Sequence, residues 1–222
     1  MVPQRHTTGN RALRAGSGDL SYQRKDAAYR AARQAGLRSR AGVKLEDLDA
    51  RFHLFAPGQT VVDLGCWPGA WLQVAARTVG ERGRVVGVDL VEVAPLGLPN
   101  VDVLRGDVAD DGIRAQLRER TGGRADVVLS DMAPKLTGIR DADDAREEAL
   151  VELALDVSRE LLVRDGKLLV KLFSRVEAEA MRKLRAVFRI VSTYRPPSTR
   201  KGSSEIYAFA RGRREEAREI GK

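Results

Sequence analysis

Five short apolar runs recur along the chain, each long enough for a buried strand and each followed by polar, turn-forming residues. They fall at 60–64 (TVVDL), 84–90 (RVVGVDL), 101–107 (VDVLRGD), 126–131 (DVVLSD) and 167–173 (KLLVKLF). Helical segments separate several of them. One starts at about Ala70 and another covers 176–187. Over 145–163, Leu150, Leu153, Ala154, Val157 and Leu161 recur at helical spacing, which puts them on one face. Parallel strands need long crossovers, so this alternation predicts an α/β fold with a mostly parallel sheet covered by helices on both faces. Two later runs, 189–194 (RIVSTY) and 205–211 (EIYAFAR), are expected to pair antiparallel at the end of the sheet, making seven strands. Residues 26–35 and 43–52 precede the first strand and are helical in composition.

In sheets of this kind a ligand lies beyond the carboxyl ends of the strands. The polar residues that close the apolar runs are therefore the candidates for function: Asp63, Asp89, Asp107, Asp131 and Lys171. Ionisable groups at the ends of apolar strands are costly unless they are paired or used.

The first run leads into Asp63-Leu64-Gly65-Cys66-Trp67-Pro68-Gly69-Ala70-Trp71. Gly65 and Gly69 let the backbone come close to a ligand. The stretch has neither the G-x-G-x-x-G of dinucleotide sites nor the Gly-Lys-Ser/Thr of triphosphate loops. A ligand without phosphates fits better, and S-adenosylmethionine is one. Asp89 stands 20 residues after Gly69, where an acid can accept hydrogen bonds from both ribose hydroxyls. Asp107 can meet the adenine amino group. Taken alone, each aspartate is equally a turn or cap residue. Together with the Asp-x-Gly-x-x-x-Gly turn they form a pattern. Trp71 opens the following helix and is placed as a wall for the methionine end, with ordinary core as the alternative. Cys66 reads as a small filler rather than a nucleophile.

Composition narrows the class. At 43% hydrophobic residues, the 222-residue chain can bury a full-sized core, and no apolar run is long enough for a membrane span. One cysteine and two histidines allow no intrachain disulfide, and neither a zinc site nor any other metal is expected. No secretory signal is read at the N-terminus, and a cytoplasmic location is the simplest expectation, with an Arg-rich mitochondrial address left open. The net charge of +8 is unevenly spread. Residues 1–40 carry nine Arg/Lys against two Asp, and residues 195–222 carry eight against four, whereas the middle has 22 against 25. Basic ends suit a polyanion, although a solvated tail has the same composition. A basic tail is expected at 1–25, a single domain at 26–213 and a charged tail at 214–222.

Four sequence blocks, in order, resemble the FtsJ/RrmJ family of ribosomal RNA methyltransferases. They are Gly36-Leu-Arg-Ser-Arg-Ala-Gly-Val-Lys44-Leu, Ser130-Asp131-Met-Ala-Pro134, Leu169-Val-Lys171-Leu-Phe173 and Ser203-Ser-Glu205-Ile-Tyr207. The resemblance covers roughly 26–213 and implies a Rossmann-like methyltransferase fold that binds S-adenosylmethionine. It places Gly69, Trp71, Asp89, Asp107 and Asp131 at the cofactor. It also implies methylation of a ribose 2′-hydroxyl, most simply of a uridine in 23S rRNA within the large ribosomal subunit, by a monomer. Such a reaction needs an aligned acceptor and a base for its proton. By the resemblance Lys171 is that base, and Lys44, Asp131 and Glu205 orient it and the hydroxyl. The chain departs from the family at Gly42-Val43, where relatives carry bulkier residues. Blander readings exist: Lys171 as a strand-end lysine reaching water, Glu205 as an edge-strand charge, and Lys44 as a helix-surface residue. The rival functions are the same chemistry on tRNA or an RNA cap, and an inactive RNA-binding assembly factor.

Overall fold

The structure, a computed structural model, describes residues 29–199 and 202–214. The expected N-terminal tail, and all of the expected C-terminal tail except Arg214, lie outside these residues. Residues 29–34 are helical. There follow α1 (Ala41–Phe52), β1 (Thr60–Leu64), α2 (Ala70–Val79), β2 (Arg84–Asp89), β3 (Val101–Arg105), α3 (Asp111–Thr121) and β4 (Ala125–Ser130). The chain continues through α4 (Arg140–Leu161), β5 (Leu162–Phe173), α5 (Glu177–Val187), β6 (Phe188–Tyr194) and β7 (Glu205–Arg213).

The seven strands lie in the order β3-β2-β1-β4-β5-β7-β6. The first five are parallel, and β7 runs antiparallel between β5 and β6. This is the predicted α/β class. Because successive side chains alternate across a strand, the sheet has two apolar faces and two cores. Val128, Leu168, Val170 and Ala208 pack with α3, α4 and α5 on one face. Val127, Leu129, Leu169 and Tyr207 pack with residues 29–37, α1 and α2 on the other. Lys171 and Glu205 share parity with Leu169 and Tyr207, so they belong to the α1–α2 face. None of the helices among the described residues is long and apolar enough to cross a membrane.

Three elements differ most from expectation, and the first is α4, which runs from Arg140 to Leu161 rather than over 145–163. Strand β5 starts at Leu162 rather than 167, with an irregular register between Ala125 and Val127 of its partner β4. It follows α4 directly, with no intervening loop to mark it in the sequence. Helix α3 was not anticipated at all. Only Leu117 and Thr121 of its residues are buried, so it has almost no apolar stripe. Its ends hold it instead. The Asp110 side chain accepts hydrogen bonds from the Gly112 and Ile113 amides, and Gly122 takes the left-handed conformation after its last turn (φ 65°). Replacing Asp110 with alanine should therefore lower stability by about 0.5–2 kcal/mol. Urea unfolding should show a lower midpoint with an unchanged slope, and an unmoved midpoint would mean that packing alone holds α3.

Candidate active site

The turn after β1 can form only because Gly65 is there. Its φ is 78°, and an added Cβ would stand 2.9 Å from Met132 Cγ and 3.0 Å from the Met132 backbone. Any side chain would thus drive apart the chain segments leaving β1 and β4. Gly69 (φ 105°) opens α2 with Val93, Leu96 and Arg38 packed around it. Arg38 fastens this region by donating to the carbonyls of Pro68, Ala94 and Pro95. Cys66 lies buried over Gly87, where a Cβ would meet its sulfur at 2.7 Å. Burial, then the carboxylates of Asp63 and Asp89, push its thiol pKa up, which suits a filler and not a nucleophile.

Beyond the ends of β1–β4 is a cavity of about 340 Å³, bounded by Gly65, Trp67, Asp89, Asp107, Asp131 and Met132, with Val108, Leu90 and Leu150 among its apolar walls. Asp89 ends β2, Asp107 follows β3 by two residues, and Asp131 follows β4 by one. Asp89 is oriented by the amides of Trp67 and Val91, each donating to one carboxylate oxygen at 2.8 Å. The Ala109 amide holds Asp107 at 2.9 Å. Lone pairs remain on both carboxylates for ligand hydroxyls or an amine. No lysine or arginine is among the described residues that line the cavity. Phosphates would meet only negative charge there, while an adenosine bearing a sulfonium and an ammonium finds carboxylates beside apolar walls. The residues present thus fit the ligand expected from the sequence.

Asp131 also borders a second group. Lys171 donates to its backbone oxygen at 2.5 Å and lies 3.2 Å from its Oδ1. Lys44, from α1, donates to Glu205 Oε1 at 2.8 Å and to the Tyr207 hydroxyl at 3.3 Å. Tyr207 closes the group. Its hydroxyl reaches Asp131 Oδ1 at 3.0 Å and Glu205 Oε1 at 3.2 Å, so its one proton lies between two carboxylates. Burial, then Asp131 and Glu205, push the phenol pKa well up, and it stays a neutral hydroxyl. For Glu205 burial acts to raise the pKa, but the hydrogen bond and charge of Lys44, with Lys171 and Tyr207, bring it below the usual carboxylate range. All four residues of the expected tetrad therefore converge. Tyr207 was overlooked as a site residue because, in EIYAFAR, it reads as one more inward-facing strand residue.

Trp71 takes the core position that was the alternative reading for it. It is not among the residues lining the cavity; it is buried in the core on the α1–α2 face. Its Nε1 donates to the Ala41 carbonyl at 2.8 Å, and its ring stands 5.9 Å from that of Tyr207. It fixes the start of α1, and so Lys44. Gly42 in the same helix makes room for Leu37, whose Cδ1 would be 2.7 Å from an added Cβ. The small residue preceding Lys44 thus serves packing. Among the described residues no group of three or more His, Cys, Asp or Glu could hold a metal ion.

Asp63 is the one strand-end acid that borders neither the cavity nor the tetrad contacts. It is fully buried, and both of its oxygens lack a hydrogen-bond partner. Burial, followed by the nearby charges of Asp131 and Asp89, raises its pKa well above the ordinary carboxylate value. The folded state then binds this proton more tightly than the unfolded state does. Stability should fall as pH rises from the ordinary carboxylate range through the raised value. Asp63→Asn cannot ionise, so its melting temperature relative to wild type should climb between about pH 5 and pH 8. A difference that stays constant with pH would show that Asp63 does not carry this proton.

Comparison with known proteins identifies the family. Residues 37–213 match the family model of the FtsJ-like methyltransferases. The chain is 46% identical over 190 residues to the ribosomal RNA large subunit methyltransferase E of Halorubrum lacusprofundi, covering 85% of this chain and 71% of that protein. It is 45% identical to the protein of the same name from Halorhodospira halophila, covering 86% and 91% respectively. Among solved structures, a Plasmodium falciparum chain described as a ribosomal RNA methyltransferase superposes with a TM-score of 0.68 at 26% identity, covering 79% of this chain and 98% of that one. Fibrillarin from Aeropyrum pernix, solved with S-adenosyl-L-methionine, shares the fold at a TM-score of 0.51 and 17% identity, covering 70% and 67%. A cavity of matching chemistry, a converged tetrad and a family match spanning most of the chain lead to one conclusion: the protein belongs to the FtsJ-like methyltransferase family.

Proposed function

We propose that this protein transfers the methyl group of S-adenosylmethionine to a ribose 2′-hydroxyl of ribosomal RNA, most simply a uridine of 23S rRNA in the large subunit. The observation that carries the reading is the double position of Asp131. It borders the cavity suited to the donor, and it contacts Lys171, the residue suited to be the base. Donor and acceptor would thus meet at one residue. The names of the relatives at 45–46% identity point to the large ribosomal subunit as the substrate. Arg30 and Arg33, exposed ahead of α1, supply positive charge suited to phosphates. The relatives' names favour ribosomal RNA over a tRNA or an RNA cap, and an intact tetrad argues against an inactive assembly factor. Residues 26–213 would act as one methyltransferase unit. Since one chain supplies every residue invoked, a monomer suffices, working where ribosomes are assembled in the cytoplasm.

When bound, the cofactor supplies a methyl carbon already activated by its sulfonium. Asp89 would accept from the ribose hydroxyls of the donor, and Asp107 would accept from its adenine amino group. Gly65, on the cavity wall, would leave the turn open to the methionine end, and Gly69, outside the lining and packed against Val93, Leu96 and Arg38, would shape the turn that carries it. Lys171, as a free amine, takes the proton of the acceptor hydroxyl at Nζ. Asp131 orients that amine through its carbonyl and Oδ1. Lys44 remains an ammonium held by Glu205, and Tyr207 ties both carboxylates to one hydroxyl. The ammonium and the neutral phenol keep the negative charge of Asp131 and Glu205 from gathering in one place.

Lys171→Arg tests the assignment. Arginine keeps the positive charge but does not give up its proton in proteins. Cofactor binding and folding should be retained, while single-turnover methyl transfer on undermethylated large subunits should fall by about 10²- to 10⁴-fold. A variant within a few-fold of wild type would show that Lys171 positions the hydroxyl and that the proton leaves by another route.

A further inference from the structure

Helix α4 carries two buried carboxylates one turn apart, one against the loop that follows β4 and the other against the end of β5. Asp143 accepts from the Thr137 amide and hydroxyl, each at 2.8 Å, and from the Gly138 amide at 3.0 Å. It thereby anchors the loop that leaves β4 at Asp131. Glu147, which is 4% exposed, accepts a hydrogen bond from the Phe173 amide through Oε1. Phe173 is the last residue of β5, two beyond Lys171, and pairs across the sheet with Glu205. Strand β4 has already ended at this level, its last pairing being Ser130 with Val170. The β5 backbone has therefore lost its neighbour on that side, and the carboxylate takes the place of the missing strand acceptor. Burying an acid in an apolar helix face is costly unless it is hydrogen-bonded. No step of the proposed reaction uses Glu147.

We propose that Glu147 is a positioning residue for the transfer: by holding the Phe173 end of β5 it sets Lys171, and Glu205 paired with Phe173, at the spacing the reaction needs. The grip comes from the sheet face opposite α1, so the site is fixed from both sides. Arg175, in the turn after β5, and Asp144, beside Glu147 on α4, form an ion pair at 2.8 Å that closes the same junction. Burial raises the Glu147 pKa, opposed by the Phe173 amide, Arg175 and Lys171 and reinforced by Asp144. What the argument requires is the acceptor oxygen rather than the charge. This inference rests on the assignment of Lys171 as the base.

The distinction sets the test. Glu147→Ala removes the acceptor, whereas Glu147→Gln keeps a carbonyl oxygen that the Phe173 amide can reach. Single-turnover methyl transfer on undermethylated large subunits, calorimetric S-adenosylmethionine affinity and thermal unfolding would be measured for both. The alanine variant should lose about 10- to 100-fold in rate, the scale expected when a reacting group shifts by a fraction of an ångström to an ångström. Cofactor affinity should stay within about threefold, because Glu147 does not line the cofactor cavity. The glutamine variant should recover most of the rate. Should the alanine variant not fold, Glu147→Asp, whose shorter reach loses the amide, should be slow while Glu147→Gln is near wild type. An alanine variant at the wild-type rate overturns the proposal, as does a glutamine variant as slow as alanine or aspartate. A rate loss matched by an equal loss of cofactor affinity also overturns it. If Lys171→Arg is inactive while Glu147→Ala is fully active, only this inference fails; an active Lys171→Arg removes the base assignment itself.

Discussion

A lysine whose side chain is only 9% exposed must be met by negative charge or by hydrogen-bond acceptors, and Lys171 finds both in Asp131. Taking away one partner of a buried ion pair strands the other, at a cost of about 3–5 kcal/mol. The contact is made possible by topology. Strands β4 and β5 are parallel neighbours, so their carboxyl ends emerge side by side. The antiparallel β7 then brings Tyr207 opposite Lys171 and Glu205 opposite Phe173. From there Tyr207 and Glu205 reach Lys44 on α1, which Trp71 holds in place through the Ala41 carbonyl. Two lysines, two carboxylates and one phenol thus form a chain of contacts across three strands and a helix.

The cofactor side depends on the same strand ends. The close approach of Met132 to Gly65 brings the residue after Asp131 against the turn that is suited to the methionine end of the donor. Asp131 therefore cannot be displaced without disturbing both the cavity and the lysine contact. The three carboxylates around the cavity, Asp89, Asp107 and Asp131, give it a negative wall, and burial, then the charges of Asp131 and Asp89, keep the proton on Asp63 behind them. Such a wall repels phosphates and is relieved by a cationic ligand. This is a physical reason for a site of this type to bind a sulfonium compound rather than a nucleotide.

Much of this was legible in the sequence because strand and turn signals are local. The alternation of apolar runs with helical segments led to the sheet, and the acids and lysine closing those runs led to the cavity and to Lys171. What was missed depended on contacts that cross the sheet. Tyr207 looks like a core residue until β5 and β7 are paired. The hydrogen bond from Trp71 to the Ala41 carbonyl appears only once α1 is packed on α2. Glu147 appears as one acid in a charged helix, and its partner is a backbone amide 26 residues away. Helix α3 was invisible to hydrophobic spacing because its caps, and not a buried stripe, define it.

The central claim is that this site delivers a methyl group to a ribose oxygen of large-subunit ribosomal RNA. The direct measurement is transfer of an isotopically labelled methyl group from S-adenosylmethionine to large subunits from cells lacking the gene, followed by nucleoside mass spectrometry. The account predicts label on the ribose of a single nucleotide, a 2′-O-methylated uridine, with the adjoining phosphodiester bond made resistant to alkali. Label on a base, label appearing only in tRNA or an RNA cap, or no transfer by the folded protein would contradict it.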